Sequence, residues 1–154
     1  MITNQETLDI MYEEGRRQAL DLQGRAPSMT GTEIIAEENK VPTFNATKDY
    51  SSWPIGAPVA DEGQVWILIQ PHNASHYTGR PSTLRALWGL AHTKDPHKAK
   101  SYVAPYGTSG LYMIDEVCTY NGYIWRNLWD NNEYPPETLN VENRWEKLRP
   151  CQSV

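Results

Sequence analysis

Three kinds of side chain in this sequence could do chemistry: four histidines, two adjacent pairs of acids, and a large aromatic set. His72 and His76 stand four apart, a metal-ligand spacing when carried by a helix. The residues between them, Asn73-Ala74-Ser75, follow Pro71 and read as loop. Neither His92 nor His97 adds a set completed by carboxylate or thiolate, so no metal and no cofactor is expected. The acids Asp61-Glu62 and Asp115-Glu116 are neighbours along the chain. Carboxylates that cleave glycosides face each other across a cleft, whereas neighbours on a strand point to opposite faces. With no nucleophile elbow, phosphate loop or zinc motif either, the expectation is a protein that is not an enzyme. Cys118 and Cys151 lack metal-ligand spacing and read as reduced thiols rather than a disulfide. Six Trp and nine Tyr stand against one Phe. Trp and Tyr have apolar bodies and polar tips, which suits half-wet surfaces as well as cores.

The elements that must position these groups fall into an arm and a head. At 154 residues and net charge −5, with no basic block, the chain has no electrostatic footprint for a nucleic acid. No apolar run approaches the length that spans a membrane, and the first residues carry no basic-then-apolar export signal. Residues 1–24 are expected to form a helix opened by the capping box Thr3-Asn4-Gln5-Glu6, capped by Gly24 and stopped before Pro27. Leu8, Met11, Tyr12, Ala19 and Leu22 fall on one face of it. That stripe either packs on its own domain or docks on a partner or on copies of itself. Residues 25–49 read as an extended arm or linker, with at most a short ordered piece at Glu33-Ile34-Ile35-Ala36.

The head contains an internal repeat, and the repeat governs the fold expectation. The run Gln64-Val65-Trp66-Ile67-Leu68-Ile69-Gln70 is the most apolar in the chain and follows the turn Asp61-Glu62-Gly63. It returns as Tyr123-Ile124-Trp125-Arg126-Asn127-Leu128 after the Asn121-Gly122 turn, a strong hairpin signal. Gly63 precedes Trp66 as Gly122 precedes Trp125; the polar residues His72 and Asn131 then stand at matching positions. Pro81 and Trp88 close the first copy, Pro136 and Trp145 the second, with Leu90 and Leu148 just beyond. The expected fold is mainly β: an N-terminal helix and extended arm, then two small antiparallel β units at 50–92 and 111–148, joined by a connector at 93–110. Units that small must lean on each other to bury enough area.

The second copy resembles chitin-binding modules of carbohydrate-binding families five and twelve. Tyr112, Glu116-Val117, Gly122, Trp125, Asn131, Pro136 and Trp145 carry the likeness. The first copy follows less closely through Trp53, Pro58-Val59, Gly63, Trp66, His72, Pro81 and Trp88. The helix–linker–module arrangement also resembles small accessory proteins of the tails of phages and prophages of Gram-positive bacteria. That resemblance implies a virion protein of a tail fibre or baseplate, made in the host bacterial cytoplasm. Its partners would be other virion proteins through the helix and arm, further copies of itself in the particle, and a host-surface glycan. A module accessory to a glycan-degrading enzyme is the alternative.

Sugar binding would require exposed aromatic faces with polar groups beside them. Trp129, Tyr134 and Asn131 in the second copy and Tyr77 in the first are the candidates. Trp129 is open to a competing role in packing, because on a regular strand it would share the face of Trp125. Trp66, Trp88, Trp125 and Trp145 recur at repeat-equivalent positions and are expected in the core.

Overall fold

The computed structural model describes residues 3–152. Met1 and Ile2, the start of the expected helical segment, lie outside them. Helix α1 spans Asn4–Arg25. Its capping box forms: the Glu6 amide donates to Thr3 Oγ1 at 3.1 Å and the Thr3 amide to the Glu6 carboxylate at 2.9 Å. Gly24 does not cap the helix; it stays inside it, and Ala26 is the C-cap. The helix ends there because Pro27 in the following turn, Ala26–Ser28, cannot donate into another helical bond. The predicted stripe is divided between two environments. Leu22 is fully buried inside the chain, whereas Leu8, Met11 and Tyr12 are 59%, 64% and 72% exposed. From Thr3 to Arg17, about 20 Å of helix, every residue is exposed and none packs into the core.

Residues 25–49 are not a free linker. Helix α2, Gly31–Ala36, opens with a second capping box, Thr30 with Glu33. It buries Ile34 and Ile35 against Ala26, Val65 and Ala91, with Met29, Val41 and Ile67 at the margin. Two adjacent isoleucines exposed on a linker would leave a large apolar surface in water, and burial removes it. Arg25 reaches across to Glu37 with two bonds of 2.9 Å. After a turn at Glu38–Lys40 the chain extends and the Ala60 amide donates to Pro42 O at 2.8 Å. Phe44 then stacks on Tyr50, 6.0 Å away at 9°.

The repeat folds as two antiparallel units. Strands β1 (Pro58–Asp61), β2 (Gln64–Leu68) and β3 (Trp88–Leu90) form the first sheet in that order. Strands β4 (Lys100–Ser101), β5 (Val117–Tyr120), β6 (Tyr123–Asn127) and β7 (Trp145–Pro150) form the second, with β4 parallel to β5 and the rest antiparallel. Both hairpins turn through two positive-φ residues, Glu62 (53°) with Gly63 (75°) and Asn121 (48°) with Gly122 (81°). That conformation matches the twist of paired strands. Trp66 and Trp125 occupy the same place: each indole N–H donates to the carbonyl five residues back, Asp61 O at 3.2 Å and Tyr120 O at 3.0 Å. Upstream, Gly56 and Asp115 take equivalent positive φ and donate to Leu68 O and Asn127 O, each at 2.8 Å.

Pairing corrects the alignment in two places. Trp66 faces Val59 and Trp125 faces Cys118, so Val59 matches Cys118 and not Val117. Trp66 pairs with Leu90 whereas Trp125 pairs with Lys147, and the register shifts at Ile124/Trp125, which leaves Leu148 as the extra residue of a bulge. The expected connector also joins in: Thr93, 1% exposed, bridges Val117, and β4 extends the second sheet.

Each unit has an aromatic core. Tyr50, Val59, Trp66, Leu68, Leu87 and Trp88 fill the first, and Tyr112, Cys118, Trp125 and Trp145 the second. The units lean on each other through polar joints. Gln64 Nε2 donates to Ser101 O at 2.9 Å, and Arg85, 9% exposed, donates to Ala104 O at 3.3 Å while lying over the Trp66 ring. His92 stacks on Tyr112, centroids 3.8 Å apart, and its Nε2 meets Gly110 O at 3.1 Å. A Cβ at Gly31 would lie 2.3 Å from His92 O, so α2 closes on the same point. No helix among the described residues is long and apolar enough to cross a membrane.

Candidate functional site

The loop between β6 and β7 holds three of the four candidates. It is built on two buried asparagines, Asn127 and Asn132, both 0% exposed. Asn132 Nδ2 donates to Asn127 Oδ1 at 2.8 Å, and Asn127 Oδ1 also accepts the Trp129 amide at 3.3 Å. Asn127 Nδ2 donates to Trp129 O, so one side chain grips both backbone groups of that residue. Asn132 Oδ1 accepts the Tyr134 amide at 3.0 Å, and the Tyr112 and Asn132 backbones exchange two bonds. Asp130 ties down the neighbouring segment by accepting the Ile114 amide at 3.0 Å. A strand continued through Trp129 would place it in the core beside Trp125. These side-chain bonds end the strand instead and leave Trp129 39% exposed.

The two rings do not both offer free faces. Arg144 lies against each of them, its guanidinium carbon 4.4 Å from the Trp129 centroid and 4.9 Å from that of Tyr134. Its Nε is buried without a hydrogen-bond partner among the described residues, so the guanidinium is held by ring faces. Tyr134 is half-buried, and its carbonyl accepts the Trp145 indole N–H at 2.8 Å. The remaining surface of Trp129 is exposed, with exposed Asp130, Asn131 and Glu133 beside it. Asn131 holds a positive φ of 54° and is exposed. Arg144, Asn127 and Asn132 carry no pattern that marked them; their roles depend on contacts made across the loop.

Tyr77 lies in the other unit. It stands eleven residues before Trp88, as Tyr134 stands eleven before Trp145. It is 45% exposed, meets His72 edge-on at 5.3 Å, and borders a groove of about 460 Å³ with Leu84, Leu87 and exposed Tyr106. The first unit thus presents a second aromatic surface, apart from the Trp129 loop.

The remaining reactive side chains do structural work. Asp61 takes a two-pronged bond from Arg80 at 2.8 and 2.9 Å. Glu116 accepts the Met113 amide at 2.7 Å, and burial raises its pKa. His72 is buried with Nδ1 2.7 Å from Gln70 O. Burial pushes His92 down to about 4, so it is neutral at neutral pH. Cys118 and Cys151 are both free thiols, and burial pushes Cys118 up to about 12. No group of three or more His, Cys, Asp or Glu among the described residues could hold a metal ion.

No family model matches this chain. A curated protein, a sialidase of Clostridium perfringens, is 24% identical over 112 residues, which is 72% of this chain and 29% of that protein. The chain therefore spans less than a third of the relative's length.

Proposed function

We propose that this chain is an attachment protein: its free helix fixes it in a larger assembly and its double β head presents Trp129 to a glycan. The observation that supports this reading best is the distribution of exposed apolar groups. One set, Leu8, Met11 and Tyr12, stands on the half of α1 that leaves the head; the other is the ring of Trp129, which a dedicated polar scaffold holds out of the core. In this reading the assembly is the tail of a bacteriophage particle, as the arrangement of helix and modules implies, and the glycan belongs to the host surface.

Stacking a sugar on one ring is worth no more than about 1–3 kcal/mol, so a single head binds weakly and many copies act together. The test is binding of the immobilised protein, at high surface density, to chitin, Gram-positive cell wall and a glycan array. Trp129→Ala abolishes the signal with an unchanged unfolding midpoint. Arg144→Ala leaves Trp129 unbraced and weakens binding about tenfold. If the wild type binds no glycan, or if Trp129→Ala unfolds the head, the ring is structural and this function is wrong. The similarity to a sialidase favours a second reading, a module accessory to a glycan-degrading enzyme. Retention of the protein in assembled particles separates the two.

A further inference from the structure

Between α1 and the head runs a groove of about 570 Å³. Its helical wall includes Met11, Tyr12, Gly15 and Ala19, and its floor on the head includes Val41, Pro42, Trp53 and Pro58. The helix stripe that projects beyond the head thus continues directly into this groove. Arg16, Lys40 and Lys48 lie along its rim, Arg16 paired with Glu13 of its own helix at 3.2 Å. Lys40 is partly neutralised by Glu37 at 2.8 Å, but Lys48 has no ion pair among the described residues and lies 5.6 Å over the Trp53 ring. The projecting half of α1 has the opposite character. From Thr3 to Glu14 it carries Glu6, Asp9, Glu13 and Glu14 alongside exposed Leu8, Ile10, Met11 and Tyr12; Glu13 and Glu14 pair with Arg16 and Arg17, and Glu6 and Asp9 have no ion pair among the described residues.

We infer that the groove of one copy receives the acidic, apolar half of α1 from a second copy, and that the two helices pack antiparallel in a reciprocal pair. Charge complementarity selects this occupant: an apolar floor with a basic rim fits an apolar stripe flanked by acids, and the chain carries both. A two-fold axis makes the exchange self-complementary, since each helix supplies a wall to its partner and an insert to its partner's groove. Antiparallel order follows from the charges, because it sets the end of one helix that carries Glu6 and Asp9 toward the Lys48 rim of the other copy's groove. Gly15, against which an added Cβ would meet nothing within 4 Å, sits mid-helix where a small residue lets two helix backbones approach. This pairing rests on the helix being an assembly element and is independent of glycan binding.

Sedimentation equilibrium of the full chain tests it. A concentration-dependent dimer is expected, about a hundredfold weaker in Met11→Glu, which puts a charge in the buried seam. Asp9→Lys and Lys48→Glu each weaken it about tenfold, and the two together in one chain restore it, because the swapped charges meet across the pair. All three positions are outside the core, and circular dichroism of each variant confirms the fold. A monomer at all concentrations, a trimer, or a dimer untouched by Met11→Glu or not restored by the charge swap overturns the proposal.

Discussion

The repeat poses a sharp question at Asn127, which occupies in β6 the place that Leu68 holds in β2. Leu68 pairs with Trp88 and Asn127 with Trp145, and both are fully buried. If the units were interchangeable, Asn127→Leu would improve the second core by replacing a buried amide with a leucine. The hydrogen bonds predict the reverse. Asn127 bonds to the Trp129 amide and carbonyl and to Asn132 Nδ2. The Asn132 amide is itself 0% exposed, so its loss of a partner costs about 1–3 kcal/mol of unmet hydrogen bonding. The two bonds to the Trp129 backbone are worth about 1 kcal/mol each, with water replacing part of them because Trp129 is exposed. Against this stands the apolar gain of a buried leucine, about 1.5–3 kcal/mol. The net is a destabilisation of about 1 kcal/mol, or about 2–4 °C in Tm for a chain of this size. Urea unfolding followed by tryptophan fluorescence measures it. The same variant also loses glycan binding, because Trp129 is no longer held out of the core. An equally or more stable Asn127→Leu protein would refute the scaffold role given to this pair.

Two further outcomes test the division of the chain. Leu22→Ala destabilises the isolated chain by about 2–5 kcal/mol, whereas Leu8→Ala, on the same helix, changes its stability at low concentration by less than about 0.5 kcal/mol; urea titration compares them. The second concerns pH. His92 titrates near 4 in the folded chain against 6.5 as its ordinary value, mainly because burial disfavours its charged form. The unfolded chain therefore binds that proton more tightly. The stability it confers is complete above pH 6.5 and is lost as pH falls toward 4, at most about 3 kcal/mol in all. Unfolding free energies from pH 7 to 4.5 should fall in the wild type and fall less in His92→Gln; identical slopes would exclude His92 as the sensitive group.

Much of the fold was legible because its signals are local. A hydroxyl three residues before a glutamate makes the capping box at Thr3; the same device at Thr30 opens α2, where the sequence by itself reads as an arm. Asn121-Gly122 demands positive φ, and Glu62-Gly63 adopts the same turn because the strands on either side pair in the same register. The spacing from turn to Trp brought out both hairpins. The closing tryptophans were legible for the same reason, although β7 carries a bulge that no spacing rule anticipates.

The site was legible only in outline. Trp129, Tyr134 and Asn131 do lie in one loop, but Arg144 fills the space by both rings, and its position ten residues past Tyr134 announces nothing. The Asn127–Asn132 grip likewise depends on the loop's return path. In the arm, Ile34 and Ile35 look like a short ordered piece at most; their burial depends on Val65 and Ala91, distant in the chain.

By itself, then, the sequence determined the repeated hairpins, the start of α1 and the aromatic identity of both cores, because turns, caps and strand alternation are decided within a few residues. Only the tertiary structure decided that the arm is part of the head, that α1 is anchored through Leu22 while its first half stays exposed, and that Trp129 leaves the core. Those outcomes depend on which distant surfaces exclude water from each other, and a side chain's own neighbours in sequence do not specify that.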